Sequence, residues 1–198
     1  MSGKELERQL GVTYKTAYRM GQQIRKLMGK ADNIPMMQGH IEMDEAYVGG
    51  RRAGAHGRGA LGKTILFGIK ERGGNIAVEV VPNVRKETLR AITLDTVSPW
   101  SVVSTDQFLG YNLLNSEGYL HGTVNHTKKE YARYDAEHDV THHVNNVETF
   151  WRLFKKSVAS THIHISAKHM QKYVDEFTFR SNHRAMKNAM FDLLIGAL

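Results

Sequence analysis

The chain of 198 residues contains no cysteine and no long apolar segment. Without cysteine it has no disulfide bonds, no zinc ribbon built on thiolates and no cysteine nucleophile. No apolar run approaches the roughly 20 residues that a membrane-spanning helix requires, and the amino terminus lacks the apolar core of a signal peptide. We therefore expect a cytoplasmic protein with no membrane partner. Its length suits one domain, or one domain with a small appendage.

The sequence is basic overall, with 27 lysine and arginine residues against 20 acidic ones, and this excess favours a polyanionic partner. Basic residues dominate 1–30, 49–63 and 152–190, whereas residues 31–48 contain no lysine or arginine but four acidic residues: Asp32, Glu42, Asp44 and Glu45. Ordinary surface variation accounts for any one of these blocks alone. Taken together, an acidic segment between basic blocks is typical of a nucleic-acid enzyme that binds divalent cations.

Two helices joined by a tight turn are predicted within the first thirty residues. Thr13 caps the second helix, whose apolar repeat we expect to face inward: Ala17, Met20, Ile24 and Leu27. The opposite face carries polar and basic side chains: Lys15, Thr16, Arg19, Gln22, Gln23 and Lys26. This pattern is typical of a helix-turn-helix that places its second helix in the DNA major groove, and a hairpin that only packs on the main domain is the alternative. A complete motif usually has one more helix in front, which we expect this chain to lack.

Strand and helix patterns alternate through the rest of the chain. The pattern predicts strands at 40–48, 64–70, 75–81, 100–105 and 122–125, and helices at 85–97, at 107–115 and from 143 to the end, with breaks near Ser160 and His183. This order predicts an α/β fold with a mixed sheet flanked by helices, and it matches the ribonuclease-H-like topology. We therefore divide the chain into a partial helix-turn-helix at 1–30, a linker at 31–38 and a catalytic domain at 39–198.

Two aspartates occupy strand positions suited to a metal site. Asp44 points away from the face that carries Ile41 and Met43, because side chains alternate along a strand. Asp106 follows a hydrophobic strand, and ligand sites in open α/β sheets favour such strand ends. These positions predict two carboxylates at one edge of the sheet.

The predicted helix after residue 143 has an apolar stripe beside a polar one. The apolar stripe steps by three and four residues and indicates a core face: Val144, Val147, Trp151, Phe154 and Val158. The neighbouring flank carries Asn145, Glu148, Arg152 and Lys155. Alone, this flank indicates a solvated face with a Glu148–Arg152 pair, worth about 0.3–0.5 kcal/mol.

In combination, these side chains fit cleavage of a phosphodiester bond by two Mg²⁺ ions. That chemistry needs hard oxygen ligands around ions about 3.5–4 Å apart, and a cation further along to hold the DNA backbone. The sequence meets these requirements in chain order: the oxygen ligands are Asp44, Asp106, and Asn145 or Glu148, and the cation is Lys155.

A competing motif lies at residues 57–64, which fit the G-x-x-x-x-G-K-T pattern of a phosphate-binding loop. That loop requires a following helix, so that amide groups at the helix start point at the phosphates. The residues after Thr64 instead predict a strand. A basic loop that contacts DNA accounts better for the glycines and for Arg51, Arg52 and Arg58.

The sequence from residue 39 to about 184 resembles the DDE-superfamily insertion-sequence transposases, in the ISXO-like branch. The motifs that carry the resemblance are 44–50 (Asp-Glu-Ala-Tyr-Val-Gly-Gly), 104–106 (Ser-Thr-Asp), Tyr111, His121, 124–126 (Val-Asn-His), 143–151 (His-Val-Asn-Asn-Val-Glu-Thr-Phe-Trp), Lys155, 166–169 (Ser-Ala-Lys-His) and 173–182 (Tyr-Val-Asp-Glu-Phe-Thr-Phe-Arg-Ser-Asn). As a set these motifs are specific, although each alone is weak.

The resemblance implies a ribonuclease-H-like nuclease that uses two Mg²⁺ or Mn²⁺ ions to cleave transposon ends and transfer them into target DNA. Asp44 and Asp106 match the first two catalytic positions. The third is written as Asn or Glu in this branch, so it is Asn145 or Glu148; Glu148 lies seven residues before Lys155, the usual spacing. Additional DNA contacts are expected from Arg152 and Lys156. The family pairs two transposon ends, which implies at least a homodimer. Because its substrate is DNA, the resemblance also implies association with the nucleoid.

The sequence departs from the family in one respect. Family members usually carry an amino-terminal cysteine zinc ribbon before the helix-turn-helix, and this sequence has no cysteine. We therefore expect a truncated or decayed copy, or a misplaced start site. The alternative function is an inactive, transposase-derived protein that only binds DNA.

Overall fold

In a computed structural model, the residues that can be described are 1–49, 62–112, 114–162, 164–186 and 189–198. They form two compact units, one of Ile34–Leu153 and one of Met1–Asn33 together with Phe154–Leu198. The predicted division of the chain at residues 30 and 39 stays a prediction. Within the described ranges, no helix combines the length and the apolar character needed to cross a membrane.

The first unit is built on a mixed five-stranded sheet. Its strands are β1 (His40–Val48), β2 (Thr64–Glu71), β3 (Ile76–Val81), β4 (Val102–Asp106) and β5 (Leu120–Val124). They lie in the order β3-β2-β1-β4-β5, in which β1, β2 and β3 are antiparallel neighbours whereas β4 runs parallel to both β1 and β5. The predicted mixed α/β class is therefore confirmed, and the strand at 64–71 after the glycine-rich motif excludes the helix that a phosphate-binding loop requires.

Helices α3 (Lys86–Thr96) and α4 (Asn145–Ser157) pack on this sheet. On one face, Met43, Phe67 and Val103 form the main apolar core with Leu89 of α3. On the other face, a side chain at Gly68 of β2 would place its Cβ atom 2.5 Å from a ring carbon of Trp151 on α4. Glycine therefore allows α4 to lie directly on the sheet, as its predicted apolar stripe requires.

The segments around β5 differ from the prediction. Residues 107–115 were expected to form one helix, but the described part forms short 3₁₀ turns at Leu109–Tyr111 and Leu114–Glu117. Residues 126–142, for which the sequence predicts no strand or helix, contain a small antiparallel hairpin of β6 (Arg133–Asp135) and β7 (Val140–His142). Three-residue strands and single 3₁₀ turns are too short for periodicity to reveal.

The second unit is helical. It contains α1 (Gly3–Leu10), α2 (Tyr14–Ala31), a π-helical turn at Val158–His162, α5 (Ala167–Asn182) and α6 (Ala189–Ile195). The Thr13 hydroxyl accepts a hydrogen bond from the Thr16 amide, which confirms the predicted cap of α2. Gly11 adopts a left-handed conformation with φ of 64° at the end of α1 and forms the tight turn.

Helix α2 packs on α5 through a face that includes polar side chains, and this corrects the predicted orientation of Met20 and Ile24. The buried side chains of Gln22 and Arg25 bind Tyr173 and Glu176, at 3.2 and 2.7 Å. Met20 and Ile24, predicted to face inward, are instead 41% and 40% exposed. The buried side of α2 also contains Ala17, as predicted, and Met28 and Ala31, which cluster with Phe179 of α5. The interface is therefore part apolar and part polar, and Gln22 and Arg25 take the inward positions expected for Met20 and Ile24. Gln22 is therefore no longer on the exposed face where DNA contacts were expected.

Candidate active site

The two predicted aspartates lie side by side in the sheet. Strands β1 and β4 are parallel, with Ile41 opposite Val103 and Glu42 opposite Ser104. The same register, continued two residues beyond the last paired residues, places Asp44 opposite Asp106. Neighbouring strands lie roughly 4.8 Å apart, so the side chains of these two residues leave the sheet close together. The structure thus brings together the two carboxylates that the sequence placed at strand positions.

The surroundings of Asp44 are strongly acidic. Burial and the charges of Glu45, Asp106 and Glu148 raise the pKa of Asp44 to about 7, and a hydrogen bond with the Glu45 backbone offsets part of this effect. A carboxyl whose pKa lies so high is destabilised when ionised, because negative charges face it in a partly dehydrated site. Glu148 of α4 makes the smallest of these contributions.

Glu42, two residues before Asp44, joins β1 to the start of α4. Its side chain is fully buried, and its carboxylate accepts hydrogen bonds from the Asn146 amide at 2.8 Å, the Asn146 side chain at 2.8 Å and the Val147 amide at 3.1 Å. The first amide groups of a helix have no partner within the helix, so a carboxylate from another strand satisfies them and also stabilises the positive end of the helix dipole. Glu42 thereby fixes where α4 begins.

The buried charge of Glu42 is balanced by Arg72, which follows β2. The Arg72 side chain donates to Glu42 at 2.9 Å and to the carbonyl oxygens of Thr141 and His143 at 2.8 and 3.2 Å. The Nδ1 atom of His143 lies 2.9 Å from the same carboxylate. Burial lowers the pKa of His143, and Arg72 adds to this effect, whereas Glu42 opposes it. One arginine therefore fixes Glu42 and the chain that leads into α4.

Two motif residues contact strands β1 and β4 next to the aspartates. The Tyr111 hydroxyl donates to the Glu45 carboxylate, and the ring of Tyr111 is almost fully buried. His121 Nε2 lies 2.8 Å from the hydroxyl of Thr105, and burial lowers the pKa of His121 to about 4. These contacts hold the strands on either side of Asp44 and Asp106, so we interpret both residues as structural.

Helix α4 presents the remaining candidates. Asn145, Glu148, Arg152, Lys155 and Lys156 are all exposed, whereas Val147 and Trp151 are buried, as the amphipathic pattern predicted. Glu148 interacts with Asp44 electrostatically and lies 3.6 Å from His126. The adjacent Asn146 is bound to Glu42. Whether Asn145 or Glu148 is the third ligand stays a prediction. The position of Glu148 favours Glu148 over Asn145.

The donor set suits a hard divalent cation. Carboxylate and amide oxygens are the ligands that Mg²⁺ and Mn²⁺ prefer, and a cation would relieve the repulsion that raises the pKa of Asp44. Among the residues that the structure describes, no group of three or more His, Asp or Glu side chains is already arranged to enclose a metal ion. The oxygen ligands are therefore of the type that these ions prefer, but the side chains must adjust to bind them. The ligands in question are Asp44, Asp106, and Asn145 or Glu148.

The expected DNA contacts lie on α2 and in the glycine-rich segment. Lys15, Arg19, Gln23 and Lys26 are exposed on α2, beside an open groove that also contains Met20 and Ile24. Basic side chains interspersed with apolar ones suit the DNA major groove, where phosphates and thymine methyl groups are both within reach. Arg51, Arg52 and Arg58 lie outside the described residues.

Comparison with known proteins supports the resemblance drawn from the motifs. A sequence model of the family described as "ISXO2-like transposase domain" matches residues 36–182. An uncharacterized transposase-like protein from Haemophilus influenzae is 29% identical over 109 residues, which are 55% of this chain and 82% of that relative. The family match contains Asp44, Asp106, Asn145, Glu148 and Lys155, whereas α1 and α2 precede it.

The first prediction concerns Glu42. In the Glu42→Gln variant, we expect a loss of about 3–5 kcal/mol in the free energy of unfolding, because the partly buried Arg72 loses its counter-charge and the first amides of α4 lose a charged acceptor. The Glu87→Gln variant, which alters an exposed glutamate of α3, is the matched control and should change stability by less than about 0.5 kcal/mol. Urea unfolding followed by circular dichroism measures both. Equal stability of the two variants would contradict the role of Glu42.

The second prediction concerns the pH dependence caused by Asp44. Without divalent cations, native Asp44 keeps its proton up to about pH 7, whereas the unfolded chain loses it near pH 3.8. The free energy of unfolding should therefore fall as pH rises between these values. Asp44→Asn removes this effect, so its stability relative to the parent should increase across that range by a few kcal/mol, at about 1.4 kcal/mol per pKa unit. Thermal unfolding in EDTA at several pH values tests this, with the exposed Asp192→Asn as control; parallel curves for the two variants would refute it.

Proposed function

Because the chain belongs to the family of ISXO2-like transposase domains, we propose that it is a DNA transposase that cleaves transposon ends and joins them to target DNA. The observation that carries this proposal is the position of Asp44 and Asp106 on adjacent parallel strands, where the charge of Asp106 contributes to the raised pKa of Asp44 and Glu148 of α4 adds a smaller contribution. Phosphodiester chemistry with two metal ions needs such a convergence of oxygen ligands.

The sheet order supports a ribonuclease-H-like catalytic domain. Three antiparallel strands are followed by a helix and then by parallel strands on the other side of β1, so the central strand carries Asp44 and its parallel neighbour carries Asp106. Helix α4 lies on the face that these aspartates share with Glu42 and Gly68. We propose this fold on the basis of strand order and site position together.

In the proposed mechanism, Asp44, Asp106, and Glu148 or Asn145 hold two Mg²⁺ or Mn²⁺ ions. When bound, these ions activate the attacking oxygen and stabilise the leaving oxygen of an in-line displacement. The chain itself fixes the ligands, since Glu42 holds the start of α4 against β1. Lys155, with Arg152 and Lys156 along the same helix, binds backbone phosphates. Water is the nucleophile in end cleavage, and the released 3′-hydroxyl attacks target DNA without a covalent enzyme intermediate.

DNA recognition is assigned to the exposed face of α2, as the second helix of a partial helix-turn-helix. The exposed basic residues Lys15, Arg19 and Lys26 and the amide of Gln23 bind DNA in this proposal. Gln22 is excluded from it, because its side chain is buried and bound to Tyr173. DNA is thus the partner, the nucleoid is the expected location, and pairing of two ends by at least a dimer completes the proposal.

The third prediction tests catalysis. The parent chain should cleave DNA that carries the ends of its element in the presence of Mg²⁺, and Asp106→Asn should bind the same DNA but cleave it at least about 100-fold more slowly, because even indirect changes at metal sites cost 10–100-fold. The exposed Asp95→Asn should retain the parent rate. A parent that binds these ends in a gel-shift assay but never cleaves them would favour the alternative, an inactive DNA-binding protein.

The fourth prediction tests recognition by α2. The double variant Arg19→Gln/Lys26→Gln should bind end DNA more weakly and lower the slope of log affinity against log salt by about 2, because each phosphate contact contributes about 0.9. The variant Arg85→Gln/Lys86→Gln removes the same charge from exposed positions in the sheet unit and serves as control. Fluorescence anisotropy at several KCl concentrations measures both slopes. If the control lowers the slope as much, net charge rather than α2 governs binding.

A further inference from the structure

His126 lies next to Glu148 and has an unsatisfied nitrogen. The residue begins a short 3₁₀ turn, His126–Lys128, that follows β5. Its Nε2 atom is shielded from solvent and makes no hydrogen bond to any described residue, but it lies 3.6 Å from Oε1 of Glu148. A buried donor or acceptor without a partner costs about 1–3 kcal/mol, so such a group in a native structure calls for an explanation.

The turn that carries His126 is fixed to the end of β4. Asn125 donates through its side chain to Gln107, the residue after Asp106, at 2.7 Å. The side-chain oxygen of Asn125 accepts from the Lys128 amide at 3.1 Å and closes the turn. The ring of His126 packs edge-on against Tyr131, with centroids 5.8 Å apart. The imidazole is therefore held in place by the strand end that also carries Asp106, while Glu148 comes from α4.

We propose that His126 is a positioning residue, whose Nε2–H donates to Oε1 of Glu148 and holds this carboxylate beside Asp44 and Asp106. A hydrogen bond of ordinary length needs the two atoms to approach by about 0.7 Å, which the exposed Glu148 side chain can supply. The contact uses one carboxylate oxygen, and the second oxygen can coordinate a cation. Hydrogen bonds of this kind commonly orient carboxylates at metal sites.

This proposal rests on the proposed function and makes it more specific, because it selects Glu148 over Asn145 as the α4 ligand. The interaction of Glu148 with Asp44 agrees with that choice. It also gives the Val-Asn-His motif a physical role: Asn125 fixes the turn to Gln107, and His126 reaches across to α4.

The test compares two variants of His126 in the full chain. His126→Phe removes the donor but keeps a ring to pack against Tyr131, whereas His126→Gln restores an N–H group at similar reach. His138→Phe is the matched control, since His138 makes an exposed contact with Asp135 at 2.9 Å. Mn²⁺ affinity is measured by isothermal titration without DNA, Mg²⁺-dependent cleavage of end DNA is measured separately, and thermal unfolding in EDTA reports on folding.

We expect His126→Phe to weaken Mn²⁺ binding by about 10-fold. His126→Gln should stay within about 3-fold of the parent, and His138→Phe should be unchanged. The unfolding temperature in EDTA should be similar for all four proteins. Unchanged Mn²⁺ affinity in His126→Phe would overturn the proposal, and so would equal weakening in both His126 variants, because packing rather than the hydrogen bond would then be responsible.

The two proposals can fail separately. A parent chain that binds Mn²⁺ in a His126-dependent manner but does not cleave end DNA would refute the transposase activity and support the role of His126. A parent that cleaves end DNA while His126→Phe binds Mn²⁺ normally would support the activity and refute the role. If the parent shows no Mn²⁺ binding that is lost in Asp106→Asn, both proposals are refuted.

Discussion

The arrangement of the candidate site depends on the bond between the buried carboxylate of Glu42 and the first amides of α4. This contact joins residues about a hundred positions apart, with Asn146 and Val147 donating at 2.8 and 3.1 Å. Glu42 and Asp44 lie on the same face of β1. Because Glu42 binds the start of α4, this start also lies beside Asp44. The positive charge of Arg72 stabilises this contact, because ionising a buried carboxylate without a counter-charge is strongly unfavourable. The start of α4 and the position of Asp44 are thus set together.

The acidic segment that stood out in the sequence separates into different roles. Asp32 accepts hydrogen bonds from the Asn182 side chain in the helical unit, Glu42 caps α4, and Glu45 accepts from Tyr111. Asp44 faces Asp106 and experiences the combined repulsion of its neighbours. Composition could indicate that cations bind near this segment, but it could not show that burial and neighbouring charges act together on Asp44. This distinction requires the strand register and the position of the helix.

The sequence predicted the parts of the fold that have long, regular patterns. Strands β1 to β5, helices α2 to α4 and the pairing of Asp44 with Asp106 follow from alternation, helical spacing and strand order. The inward positions of Gln22 and Arg25 on α2 could not be predicted, because amphipathic analysis assumes an apolar interior. Glu42 and His126 were missed as functional residues for another reason. Each acts through a partner on α4, and no local signal marks a contact between residues so distant in the chain.

Helix α4 must also be fixed in its rotation about its own axis, since capping fixes only its start. Gly68 pairs with Asp44 across β1 and β2, and it is the position where Trp151 and Val147 meet the sheet. A larger residue there would clash with the Trp151 ring, so the glycine allows the apolar stripe of α4 to lie against the strand next to Asp44. With that stripe held down, the neighbouring flank that carries Glu148 is constrained to a single side of the helix. The absence of a side chain beside Asp44 therefore helps to set the rotation of the helix that carries Glu148.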